Sequence, residues 1–368
     1  MTVLLSVCQE YGLFFEVSMN CRDLIDKLEL EKSLAYDEWV TLLSFYSGAD
    51  RLYAAGKAGI IAQKHYGKKV FIRGIVEFSN ICNNDCFYCG IRKSNTLVTR
   101  YNMSDELIVE CCRCGWRNNI KTFVLQSGEA VKFNIQRIVG LVQKLKNEFP
   151  GCAVTLSLGE LSFEDYKLLR EAGADRYLLR HETADENHYR KLHPGSMSLS
   201  NRMDCLRNLK KLGFQTGCGI MTGSPYQTPE TLAKDMLFMH DLQPEMVGIG
   251  PFIPHKDTPF AACSAGTAEQ TLMLLSLCRI MLERVLLPAT TALGSLLPGG
   301  RIMGILAGAN VIMPNLTPAD VQKNYLLYND KLSADKPVAD AVRSLNEELN
   351  TIGYEFDFSR GDFGDLKC

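Results

Sequence analysis

The chain has 368 residues, with 40 Lys plus Arg against 42 Asp plus Glu and 46% apolar content, which excludes a disordered, collagen-like or polyelectrolyte chain. A net charge of −2 removes the positive footprint of a phosphate-backbone binder, and no run reaches the roughly 18 to 20 apolar residues of a membrane span, so neither nucleic acid nor a bilayer is expected as a partner. The length is sufficient for a sizeable core and suits either two domains or one α/β barrel of about 250 residues with added segments.

Residues 1–20 are apolar-rich but lack a basic start and carry Glu10 and Glu16, which argues against a secretory signal. They read as an extension, and the protein as cytoplasmic. Residues 21–68 read as N-terminal helices, with apolar residues at helical spacing (Leu24, Leu28; Leu42, Leu43, Phe45) up to the break at Tyr66-Gly67. Short apolar, β-rich runs follow at 70–78, 122–126, 153–158, 176–179, 216–221, 246–250, 288–292 and 311–314. Helical patterns separate them, among them 135–149, 163–172, 229–242 and 267–286. Eight alternations of strand and helix predict parallel crossovers, and near-continuous apolar strands suit a sheet covered on both faces. The fold expected is therefore α/β, a (β/α)8 TIM-type barrel over 69–318 followed by a helical, more charged segment over 319–368. In such a barrel the chemistry sits where strands end and the next loops begin.

Fourteen cysteines in a chain of this size point to reduced thiols, metal ligation or redox work rather than a disulfide framework. Most are scattered and read as small buried hydrophobes. Cys111, Cys112 and Cys114 are close in sequence, yet on a helix their side chains diverge by about 100° per residue, and packing is the reading that follows. Cys82, Cys86 and Cys89 are different, because C-x3-C-x2-C directly after the first strand can place three thiolates around one metal centre. A cubane 4Fe-4S cluster has four irons, so three cysteines leave one iron open to a substrate or cofactor. Structural zinc requires a fourth Cys or His, and the nearest histidines, His65 and His181, are far along the chain.

This triad, with an aromatic residue before its third cysteine, resembles the radical S-adenosylmethionine (SAM) superfamily. The resemblance implies that the open iron chelates the amino and carboxylate groups of SAM and that an electron from the cluster breaks the sulfonium bond, giving a 5'-deoxyadenosyl radical. Further blocks narrow it: RGIVEFSNICNNDCFYCGIRKSN (73–95), VLQSGE (124–129), VTLSLGE (154–160), DRYLLRHETA (175–184), MVGIGPFIPHKDTP (246–259), PATTALGS (288–295) and GANVIMPNLTP (308–318). From about residue 22 to about 330 the chain is similar to the HydE-type maturases of FeFe-hydrogenase. Biotin synthase and methylornithine synthase share the barrel and the triad.

The resemblance implies Cys82, Cys86 and Cys89 as cluster ligands, with Tyr88 lying against the cofactor. It places Ser127, Gly128 and Glu129 at the methionine amino group; an ordinary glycine turn opening a helix is the alternative. Ser157, Glu182 and Arg202 match SAM-binding positions, Glu182 as an acceptor and Arg202 as a bidentate partner of the methionine carboxylate, against the alternative of a solvated salt bridge. A lower cavity for an amino-acid-like group is implied at Thr155, Arg180, Thr290, Thr291 and Tyr328, with Gln126 and Met313 completing its wall. Arg180 ends the apolar run YLLR, where a guanidinium must find an anion, and a substrate carboxylate is the natural one. In a strand Thr290 and Thr291 point to opposite faces, so only one enters the barrel unless the strand is ending. Met246 and Met313 suit a core as well as a site. The glycines of 217–219 and 248–250 suit close approach of a flat ring, covered by Met221 or Ile249.

Some relatives carry a second cluster on C-terminal cysteines; nothing between Cys278 and Cys368 is cysteine, so one three-cysteine cluster is expected. The implied substrate is an iron carbonyl cyanide complex carrying cysteine, with a reductant such as ferredoxin or flavodoxin. The implied partners are the tyrosine-cleaving maturase and the scaffold GTPase. Two other readings stay open: an enzyme of the methylornithine or biotin synthase kind, and a non-catalytic iron-sulfur carrier.

Overall fold

A computed structural model describes residues 20–130, 134–332 and 337–364, and the backbone of two antiparallel strands, β1 (Leu4–Cys8) and β2 (Phe14–Ser18). The extension reading of 1–20 otherwise concerns residues outside the described set. The lead-in forms three helices, α1 (Cys21–Glu31), α2 (Tyr36–Phe45) and α3 (Gly48–Tyr66). Asn20 and Ser47 start α1 and α3 with reciprocal caps, each side-chain oxygen taking a backbone N–H that the first turn leaves without a partner.

The expected strand 70–78 is two strands, β3 (Lys69–Ile72) and β4 (Gly74–Ser79), broken at Arg73. From β4 the barrel winds through α4 (Asp105–Arg117), β5 (Thr122–Ser127), α5 (Ile135–Glu148), β6 (Ala153–Ser157), α6 (Phe163–Glu171) and β7 (Arg176–Leu178). It continues with α7 (Glu186–Leu192), α8 (Leu199–Lys211), β8 (Gln215–Thr222), α9 (Pro229–Leu242) and β9 (Met246–Pro251). Strands β4 to β9 are parallel neighbours in chain order. Single Ser or Thr residues (Ser104, Ser162, Ser198, Thr228) cap α4, α6, α8 and α9, so each helix starts where the sequence offers a side-chain acceptor. Next comes α10 (Ala268–Met281), buried on nearly every side because α1 and α3 cover its outer face.

The seventh strand expected at 288–292 is not a regular strand. Leu286 bridges to Met246 and Pro288 to Val311, and the chain then turns at once into α11 (Thr291–Leu296) and α12 (Gly300–Leu306). Strand β10 (Val311–Ile312) pairs with β3, and a bridge from Ile75 to Asn315 closes the ring onto β4. The barrel thus closes with eight positions, six joined by ladders and the last two by isolated bridges and the short β10–β3 pairing.

The C-terminal segment is not purely helical. After α13 (Ala319–Gln322) and α14 (Val338–Asn350), strand β11 (Glu355–Asp357) pairs with β3, and residues 360–363 cross the bottom of the barrel. There Asp362 pairs with the fully buried Arg176, and Arg360 bridges Asp362 and Asp175 at 2.7 and 2.9 Å. This tail floors the lumen. Among the described residues no helix is long and apolar enough to cross a membrane.

Candidate active site

The cysteine loop leaves the top of β4 and is held by its own polar groups. Asn80, fully buried, donates to the carbonyls of Thr99 and Asn324 and accepts from the Tyr101 amide. Arg100 donates to four carbonyls, those of Asn80, Ile91, Arg92 and Asn95, at 2.6 to 3.0 Å. Asp85 pairs with Arg92 at 2.9 Å and accepts from the Ser94 amide. A guanidinium with five donors suits this task, since it fixes a run of carbonyls that no regular structure satisfies.

Inside the loop Cys82, Cys86 and Cys89 are near enough to act on one another's ionisation. Burial pushes the Cys89 thiol up to about 12, and Cys82 adds to the shift. Cys86 is raised by burial and then by Cys89 and Cys82. Thiols that hinder one another's ionisation suit a cationic inorganic centre, which would let all three bind as thiolates. Among the described residues no three His, Cys, Asp or Glu side chains close on one point as a single zinc ion requires. A cubane takes each thiolate at a different corner, and residues 80–102 supply three cysteines and no histidine. The donor set therefore fits a three-cysteine 4Fe-4S cluster.

The turn after β5 is pressed against this loop. A Cβ on Gly128 would stand 2.3 Å from the Ile81 carbonyl oxygen and 2.8 Å from Cys82 Cβ, and the Asn83 amide donates to the Glu129 carbonyl. Only glycine permits that approach. Ser127 ends β5 beside Ser79, and its hydroxyl donates to the Gly128 carbonyl. Tyr88, half-buried in the loop, has its hydroxyl 3.2 Å from His193 Nε2, and it packs against a small apolar cluster that includes Phe252, Phe260 and Met221. Burial pushes His193 down to about 3, so a neutral imidazole meets the phenol.

Glu182 and Arg180 follow β7 into the lumen. Arg180 Nη2 lies 2.9 Å from Glu182 Oε2, and Glu182 is at φ 65°, a left-handed conformation held by its backbone bridge to Ile220. Burial raises the Glu182 carboxyl against the pull of Arg180 and Arg202. Arg180 Nε and the hydroxyl of Thr155, both buried, have no hydrogen-bond partner. Two polar atoms held dry in a lumen call for a ligand. Ser157 ends β6, opposite Gln126, whose side chain meets the Tyr325 hydroxyl. Burial pushes Tyr328 up to about 12 beside Ser295.

Arg202 on α8 is more committed than its expected role allows. Its Nε meets Glu160 at 2.6 Å, its Nη1 donates to the Arg180 carbonyl, and its Nη2 stands 4.0 Å from Glu129. A two-pronged grip on a carboxylate would require giving up Glu160.

Three expectations need correction. Thr290 and Thr291 are not in a strand: Thr290 is the N-cap of α11, accepting from the Leu293 amide, and Thr291 is its first residue. Ile249 does not face the lumen; it is fully buried in the main core, on the opposite face from Gly248 and Gly250. The bare positions in β9 leave room for protein: a Cβ on Gly250 would meet Thr290 Oγ1 at 2.9 Å, and one on Gly248 would touch Arg180 Cδ at 3.9 Å. Cys111 and Cys112 are packed in the core. Sequence reasoning missed Arg100, His193 and Glu160. Glu160 lies in a block already singled out, and its signal was a charge at a strand end; Arg100 gave none because it acts on backbone carbonyls, which leave no mark in the sequence, and His193 none because its phenol partner is 105 residues away.

The description "Radical SAM superfamily" matches residues 76–239. The FeFe hydrogenase maturase subunit HydE of Thermotoga maritima is 48% identical over 322 residues, 85% of this chain and 89% of that protein. The 3-methylornithine synthase of Methanosarcina barkeri is 29% identical over 325 residues, 87% and 91% of the two chains. The crystal structure of methylornithine synthase superposes with a TM-score of 0.77 at 26% identity, covering 91% of this chain and 97% of that one. Nearly half of the residues are shared with the maturase subunit along most of both chains, and the chain therefore belongs to the HydE-type radical SAM maturases of FeFe-hydrogenase and is a radical SAM enzyme.

Proposed function

We propose that this enzyme acts, in hydrogenase maturation, on a cysteine-bound iron carbonyl cyanide precursor received from the tyrosine-cleaving maturase, and hands its product to the scaffold GTPase. Bound at Cys82, Cys86 and Cys89, one 4Fe-4S cluster together with SAM would supply a 5'-deoxyadenosyl radical, directed at the sulfur of the substrate's cysteine. The chain's own part is to position and to exclude water. The turn at Ser127, Gly128 and Glu129 offers oxygen acceptors to an ammonium group beside the cluster, and Glu182 offers a carboxylate deeper in the lumen. Arg180, with Thr155 near it, would hold the carboxylate of the amino-acid portion. Thr290, Thr291, Gln126, Tyr328 and Met313 would line the remaining wall. The tail at 360–363 and the helices packed outside keep the lumen dry.

The observation that carries this reading is the pair of buried, unpartnered atoms, Arg180 Nε just past the end of β7 and Thr155 Oγ1 on β6. The experiment is anaerobic reconstitution followed by reduction, by ferredoxin, flavodoxin or a chemical reductant, with and without SAM. Iron content, the electron paramagnetic resonance signal and 5'-deoxyadenosine are followed, and then activation of apo-hydrogenase with the partner maturases. About four irons per chain, a signal that responds to SAM and activation that depends on Arg180 support the reading. Iron without a response to SAM would return it to the carrier. The likeness to methylornithine synthase favours one second reading, a free amino acid as substrate, and consumption of an amino acid without any hydrogenase partner would select it.

A further inference from the structure

Beside the lumen lies a cavity of about 300 Å³ that shares Thr291 and Met313 with the wall proposed above but includes neither Arg180 nor Thr155. Its inner end is formed by Glu77, Thr291 and Met313, and it runs outward between α12 and α14 to Arg301 and Glu348. At the inner end Glu77 is already neutralised: it forms a buried ion pair with Lys331 and accepts from Asn315 Nδ2 at 2.9 Å. Lys331 also donates to the Tyr325 carbonyl. Nothing is left there to attract a charge.

Arg301 is the opposite case. Its stem is wedged where a Cβ on Gly294 would meet Arg301 Cγ at 3.3 Å and Nε at 3.4 Å, with Leu332 on the same spot, so its direction is set by packing. Its guanidinium is partly buried and, among the described residues, makes no hydrogen bond or ion pair. Among the described residues, the acidic group that acts on it is Glu348, on the exposed face of α14, which has no side-chain partner among them either. The two face one cavity at more than the 4.0 Å of an ion pair. Burial of an arginine is costly unless an anion meets it, and two opposite charges held apart across a cavity make a site for a molecule that carries both.

We propose that this side cavity binds a small α-amino acid, its carboxylate on Arg301 and its ammonium on Glu348. The volume admits an amino acid and little more. The site is separate from the Arg180 position in the lumen, and the inference stands whether or not the lumen takes the substrate proposed above.

The test is calorimetric titration of the anaerobically reconstituted full chain with L-alanine and L-serine, alongside propionate and ethylamine, which each keep one charge. Wild type is expected to bind the amino acids and to bind propionate and ethylamine about tenfold more weakly or worse. Arg301→Ala should weaken binding about tenfold or more. Glu348→Gln, a change on an exposed helix face with little risk to folding, should weaken it several-fold. Arg180→Ala should leave it within about twofold. Three results would overturn the proposal: no binding at millimolar amino acid, binding abolished by Arg180→Ala but kept in Arg301→Ala, or propionate binding as tightly as L-alanine with Glu348→Gln silent.

Discussion

The six strands from β4 to β9 and the arc from Leu286 to Asn315 complete the same ring by different means. In the first, parallel ladders join each strand to the next, with one register shift where β4 meets β5 between Glu77 and Ser79. In the second, three isolated bridges and one two-residue pairing of β10 with β3 do the joining, and the chain between them goes into turns and caps, as where Thr290 starts α11. A continuous wall holds groups to the tolerance that cluster and cofactor chemistry needs. A wall made of bridges leaves room beside it, and the side cavity lies there.

The sharpest way to set the two regions against each other is the same substitution at two glycines, one against the cysteine loop and one on β9 where it faces the arc. Gly128→Ala places a Cβ against the Ile81 carbonyl and Cys82, both fixed backbone or near-backbone atoms, so the cysteine loop must move. Iron should fall from about four per chain to below about one, and 5'-deoxyadenosine release should cease. Gly250→Ala meets side-chain atoms of Thr290 alone, at 2.9 to 3.5 Å and away from the cysteine loop, and should retain the full iron content. Equal iron in the two variants, by colorimetric assay, would remove the distinction.

Within the regular wall, Arg180→Ala should lower hydrogenase activation by about a hundredfold while leaving cluster loading and uncoupled 5'-deoxyadenosine release in place. Arg180→Lys should recover only part of the loss, because an ammonium lacks the planar fork. Loss of iron in Arg180→Ala would mean that the residue supports the fold and not the substrate.

How far the sequence could be read follows the same division. The strands at 122–126, 153–158, 216–221 and 246–250 and the helix at 229–242 were legible because apolar content, turn residues and caps all agreed. The cysteine triad was legible because its spacing is itself the chemistry. The arc was not: PATTALGS has the β-branched composition of a strand, but Thr290 serves better as an acceptor for the Leu293 amide than as a rung, and no local pattern shows that. Strand β11 was hidden for another reason, since a three-residue strand takes its identity from β3, nearly 290 residues earlier. Ile249 was read to the wrong face because its flanking glycines suggested a ligand, whereas one of them makes room for Thr290.

The floor offers an intermediate effect. Arg176 is fully buried, and among the described residues Asp362 is the carboxylate paired with it. Burial alone would raise Asp362, yet hydrogen bonding to Arg360 and the charge of Arg176 hold it at about 2. A carboxyl held below its ordinary value stabilises the fold above about pH 4, and that contribution is lost as pH falls through about 2. Asp362→Asn should destabilise by about 3 kcal/mol at most, because Thr122, Gln215 and the Arg360 carbonyl still take N–H groups of Arg176. In thermal melts the difference from wild type should be present at pH 7 and shrink toward pH 3. A difference that does not vary with pH would show that the tail is held by packing alone.

The smallest effect lies back in the arc and decides what Thr290 is for. As the cap of α11 and the neighbour of Gly250, Thr290 has a structural use that needs no substrate. Thr290→Ala should then cost about 1 kcal/mol, a shift of a few degrees at most in a chain of this size. Thr290→Ser keeps the acceptor and should restore it. If the hydroxyl also meets substrate, Thr290→Ala will raise the KM for the precursor while Thr290→Ser leaves it unchanged, and Thr291→Ala will affect turnover without touching the melt. A helix cap and a substrate contact use the same oxygen in different directions, since the cap accepts along the helix axis while a lumen ligand approaches across it. A melt and a KM measured on the same three variants therefore separate them, and a Thr290→Ala enzyme with an altered melt and an unaltered KM would assign this residue to the wall alone.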